Sequence, residues 1–144
     1  MLSSQDPDLL PIENDIASAI DLIADGEDRR ANILLDRSIQ KLRLLSVGAS
    51  RKEALRLWAI CLSVQEEWEQ SLLKYEQVLS IDPSDEDALW QTAQILLRNL
   101  ENPEAARKVL EQRLLPINRT DDYLDTLREC EAALGIPPAG KSPV

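Results

Sequence analysis

The chain reads as all-α. Its apolar residues recur at three- and four-residue spacing through most of its 144 residues, and only four Gly punctuate it. Leu (25) and Ile (11) make up a quarter of the chain and Phe is absent. Aliphatic side chains on helices must therefore build the core, and the few β-branched runs leave little for strands.

Seven helices follow in order. Residues 1–10 are polar and Pro-containing, a loose arm by composition. From Pro11, the positions Ile12, Ile16, Ala19, Ile20 and Ile23 form one stripe, with acids early as the helix dipole prefers. A turn at Asp25–Asp28 leads to a second stripe: Ala31, Leu34, Leu35, Ser38, Leu42, Leu45. Ser50 and Glu53 have capping-box spacing and open the third helix, with Leu55, Trp58, Ala59 and Leu62. Glu66 and Glu67 mark a tight turn. The fourth helix carries Trp68, Leu72, Tyr75, Val78 and Leu79, and stops near Pro83. Ser84 opens the fifth, with Leu89, Ala93, Leu96 and Leu97. Asn102 before Pro103 opens the sixth, with Ala105, Ala106, Val109, Leu110 and Leu114. Thr120 opens the seventh, with Tyr123, Leu124, Leu127, Cys130 and Leu134, ending at Gly135. Residues 136–144 have the composition of a disordered tail.

The helices come in pairs with a period. Residues 52–85 set against 86–119 give a 34-residue offset, matching Leu55 to Leu89, Ala59 to Ala93, Leu62 to Leu96, Ser71 to Ala105 and Tyr75 to Val109. Small residues at Ala59 and Ser71, the aromatic Tyr75 and the terminating Pro83, with Ile81 and Asp82 before it, resemble the tetratricopeptide repeat. In the next copy Val109 replaces the aromatic, and Pro116 comes one residue before the expected place. In the pair 12–45, Ala19, Leu22, Gly26, Ala31 and Leu35 fall in register. Residues 120–134 fit a capping helix. The resemblance implies one domain over 11–135, with repeats 12–45, 52–85 and 86–119. It implies a right-handed α-solenoid of antiparallel helix pairs, about seven helices in all, with a concave groove lined by the first helix of each pair.

Composition narrows the chemistry. There is no His, which removes the commonest general base and metal ligand. No Gly sits in a phosphate-binding motif. Residues 82–87 superficially resemble a calcium loop but lack its central Gly and its terminal Glu. Cys61 and Cys130 lie among apolar helix positions and read as buried small hydrophobes. No enzyme, cofactor or metal is expected. The net charge of −10 disfavours nucleic acid and anionic membrane. No apolar run is long enough to span a bilayer, and no signal peptide is evident, so a cytoplasmic address is expected. Charge is uneven: residues 29–56 carry eight bases and two acids, between acidic flanks. That block is a docking patch or a neutralising partner for its neighbours.

The resemblance places Ile16, Ile20, Arg56, Ile60, Trp90, Gln94, Leu97 and Arg98 on the groove. Trp90 is either a peptide anchor there or packed over a neighbouring helix or the final cap. Trp58 and Trp68 fall at packing positions and read as core. The Lys, Arg and Asn set with which some tetratricopeptide domains clamp a carboxylate is missing from the matching positions, which favours a more apolar ligand. The leading expectation is a non-catalytic adaptor that holds a peptide or helix of a partner protein. A small acidic chaperone of the type III secretion class and a structural subunit are the alternatives, and a homo-oligomer is compatible with each.

Overall fold

The computed structural model describes residues 6–48 and 50–137. The described residues are 76% helical and include no strand. The helices are α1 (Leu10–Ala24), α2 (Asp28–Leu45), α3 (Arg51–Val64), α4 (Trp68–Ile81), α5 (Glu86–Gln94), α6 (Pro103–Val109) and α7 (Asp121–Ala133). Helices α5 and α6 each run on into a wider π-turn, Ile95–Asn99 and Leu110–Leu114. Two compact units divide the chain after Ile81, α1–α4 in the first and α5–α7 in the second.

The recurring element is an antiparallel helix pair closed by small residues. In the first pair Ala19 and Ala31 are fully buried, in the second Ala59 and Ser71, in the third Ala93 and Ala106. Small side chains let the two backbones approach, so the long residues a turn away interlock. In the second pair the approach is close enough for the Ser71 hydroxyl to donate to the Ala59 carbonyl at 2.8 Å. One turn further along, Leu35, Tyr75 and Leu110 are each buried.

The connecting turns repeat as well. Leu22 and Leu62 carbonyls each accept from the amide five residues on, Glu27 and Glu67, both at 2.8 Å. The residue before that amide is left-handed: Gly26 at φ 80°, Glu66 at φ 63°. In the third pair the Leu96 carbonyl accepts instead from Asn102, six residues on, and the left-handed residue is Glu101 at φ 50°. One extra residue has entered α5, and the π-turn Ile95–Asn99 absorbs it. The register of α6 therefore moves by one. Ser71 corresponds to Ala106, not Ala105, and Tyr75 to Leu110, not Val109; Ala105 and Val109 are only half-buried. Pro116 then falls where Ile81 stands in the pair before, so neither Pro116 nor Ile117 takes the place of Pro83.

Helix starts differ from expectation at two places. Ser50 does not cap α3; its hydroxyl donates to the Asp6 carboxylate. That contact holds residues of the supposed arm in place, and Leu9 is fully buried in the first core. Asp85, not Ser84, caps α5 by accepting from the Ala88 amide at 3.0 Å, because its backbone is extended (ψ 104°). Asn102 and Thr120 cap as their sequence positions predict. Gly135, at φ 73°, ends α7. Residues 1–5 of the expected arm and 138–144 of the expected tail lie outside the described residues.

The shifted register carries its own test. Ala106→Leu should cost about 1–3 kcal/mol by overpacking the close crossing, and Ala105→Leu markedly less. Chemical denaturation followed by circular dichroism measures both. A larger loss at Ala105 would restore the 34-residue register.

Candidate functional site

An open cavity of about 700 Å³ in the first unit lies between α2 and α4 over one side of α3. A second of about 430 Å³ shares Trp58, Lys74 and Gln77 with it. The two form one groove with Trp58 and Lys74 at its waist. On α3, Leu55, Trp58 and Leu62 recur at three and four residues and so point the same way. Leu55 and Leu62 are buried, while the larger indole is half-buried. The equivalent residues of α1 and α5 are Ser18 and Thr92, so a bulky side chain stands where the other pairs carry a small hydroxyl.

Two cations converge on that indole. Lys74 Nζ lies 3.7 Å from the ring centroid and the Arg43 guanidinium carbon 5.6 Å from it. Burial, with the Arg43 charge as a second cause, holds the Lys74 ammonium below the ordinary lysine pKa. Lys74 also donates to Gln77 Oε1 at 3.5 Å. At the far end of the groove Asp36 accepts from Gln65 Nε2 at 2.8 Å, beside Glu67. The groove is thus acidic at one end and basic at its waist. Leu73 forms part of its wall and is 57% exposed.

The eight residues expected on a groove are distributed differently. Ile16 is fully buried in the first core and lines no surface. Ile20 is exposed. Arg56 is held to Glu53 at 3.4 Å, and Ile60 packs partly buried on the core. Each lies two residues from Trp58 along α3, which places it about 160° round the helix from the indole. In the second unit Trp90 is half-buried against Tyr123, ring centroids 4.8 Å apart and planes tilted by 42°. That is the packing over the final helix that the sequence left open. Arg98 makes a two-pronged ion pair with Glu129 at 3.0 and 3.3 Å and donates to Gln94. Leu97 is half-buried. Trp90, Gln94 and Arg98 border a cavity of about 550 Å³ with Asp122, Asp125 and Glu129.

Trp58 and Trp68 were expected in the core, and both are half-buried. Sequence reading missed Trp58, Arg43 and Lys74 as one site. The available signal was the mismatch of Trp58 with Ser18 and Thr92.

The remaining chemistry is quiet. Burial pushes the Cys61 thiol pKa up to about 12 and raises that of Cys130, which favours the neutral thiol at both. Burial, then the nearby Glu86 charge, lifts the Tyr123 phenol to about 12. No set of three or more His, Cys, Asp or Glu among the described residues is arranged to hold a metal. No helix among them is long and apolar enough to cross a membrane.

Trp90→Ala should lower stability by about 2 kcal/mol through lost burial and lost ring contact with Tyr123. The cooperative melt of the full chain reads this directly, and an unchanged melting temperature would remove Trp90 from the packing of α5 on α7. No known family model matches the chain, and no curated protein matches it at a significant level.

Proposed function

We propose that the protein is a non-catalytic interaction module of the tetratricopeptide type, which seats a peptide or helix of a partner protein in the groove between α2 and α4. One observation carries this reading: a half-buried indole stands at the waist of an open groove, beside a Leu73 side chain left more than half exposed. A polar residue would serve a bare surface equally well, whereas an indole with one covered edge is the usual anchor of an interface. The three buried small-residue pairs support the repeat type. The lack of His and the buried thiols leave little for general-base or nucleophilic chemistry.

The seat differs from the one the sequence favours. Ile16 is buried, Arg56 is ion-paired and Ile60 is packed, whereas the side of α3 that carries Trp58 opens on the cavity of about 700 Å³. An adaptor and a chaperone would use the same seat, and the kind of partner held there separates the two.

A crosslinking amino acid placed at Leu73 should capture a partner segment in cells. Trp58→Ala should abolish that capture in a chain that a circular dichroism melt shows still folded at the assay temperature, because truncating an interface anchor costs about 2 kcal/mol or more of binding. Capture that survives Trp58→Ala and is lost in Ile20→Ala would move the seat back to the side of α1 and Arg56.

A further inference from the structure

At the basic waist of the groove two cations share one ring. The chain carries 26 acids against 16 bases, and some of the bases have a carboxylate partner. Arg30, Arg56, Arg98, Arg107 and Arg128 each have one. Arg43 and Lys74, like several other bases, have none among the described residues, and these two meet at one ring. Their close neighbours are the Trp58 ring, the Gln77 amide and each other's charge. Two like charges at one ring repel, and a half-buried ring weakens the water that would screen them. An anion entering the waist would meet both cations and relieve that repulsion.

The walls restrict what brings the anion. Leu73 lines the groove and presents exposed hydrocarbon next to the charges, over the buried Ile39 and Leu62. Asp36 and Glu67 hold the far end and repel a second anion there. From Asp36 to the end of α2 at Leu45 the helix runs about 14 Å, two and a half turns or about four extended residues.

We propose that the groove binds an acidic-aliphatic segment of its partner, with a Glu or Asp carboxylate seated between the Arg43 guanidinium and the Lys74 ammonium beside Trp58, and an aliphatic side chain against Leu73. The segment lies in one direction only, its acidic part at the waist and its neutral or basic part toward Asp36. This rests on the docking function proposed above and names the chemistry of the ligand. It reverses the apolar ligand that the sequence favours, because the two cations belong to the second helices of the pairs, α2 and α4.

A random dodecapeptide library selected on the immobilised full chain tests it. Enriched peptides should combine Asp or Glu with Leu or Ile. Each should bind Arg43→Gln/Lys74→Gln about tenfold more weakly or worse, the scale of one charge-assisted hydrogen bond. Replacing the peptide's own acids by amides should cost as much, and raising salt should weaken the wild-type complex. Arg43→Lys/Lys74→Arg keeps both charges and should keep most of the binding. A circular dichroism melt of each variant shows that it is folded. Enriched peptides that are neutral or basic, or that bind the double Gln variant unchanged, overturn the acidic ligand. If those same peptides still lose binding with Trp58→Ala, the docking groove stands and its charge preference fails. If Trp58→Ala also leaves them unaffected, the groove reading fails with it.

Discussion

The close crossing of paired helices is the constraint on which the rest depends. A helix needs about 8–10 Å between its axis and its neighbour's, and small residues at the contact allow the lower end. Ala19 with Ala31, Ala59 with Ser71 and Ala93 with Ala106 provide that contact three times. Ser71 adds a polar lock. Its single proton goes to the Ala59 carbonyl at 2.8 Å, so the Ser63 hydroxyl, 2.6 Å away, is the donor to Ser71. A buried hydroxyl that is satisfied on both counts stabilises one register of the pair and penalises its neighbours.

The π-turn in α5 follows from the same constraint. An inserted residue would rotate everything after it by about 100° if the helix stayed regular. Ala93 must stay at the crossing, and α6 must still present a small residue to it. The chain meets both needs by widening one turn after the crossing and moving the small residue from Ala105 to Ala106. Asn102 keeps its role as cap and donates its amide to the Leu96 carbonyl at 2.7 Å. Packing thus decides where the insertion goes, and the backbone absorbs it where few buried side chains would move.

In the first unit, the same pairing produces the groove. Helices α2 and α4 both pack on α3, and the side of α3 between them is only partly covered. A larger residue there fills the gap, and Trp58 does so. The indole then draws Lys74 and Arg43 by its quadrupole, each worth about 0.5–1 kcal/mol at an exposed site. Their mutual repulsion sets the electrostatic character of the waist. In the second unit the corresponding residue is the small Thr92, and the indole stands at Trp90 instead, packed on Tyr123. Two tryptophans two positions apart in register thus meet different neighbours, one of them cations and the other a phenol.

The all-α architecture, the seven helices and the pairing were legible in the chain, because three- and four-residue spacing, Asn102, Thr120 and Gly135 are local signals with local causes. The small residues Ala19, Ala31, Ala59, Ser71 and Ala93 were legible too, since close crossing admits little else. What escaped was non-local. Ser50 looks like a cap until Asp6, distant in sequence, takes its hydroxyl. The one-residue shift of α6 leaves no mark in residue types, because Ala105 and Ala106 are identical and only burial tells them apart. Trp58 reads as core by its spacing, yet whether a helix face is covered depends on how far apart its two neighbours stand. Arg43 and Lys74 lie on separate helices, and nothing in a linear chain says that they share a ring. Periodicity assigns a residue to a face; the packing distance between helices settles whether that face is buried, and which charges it brings together.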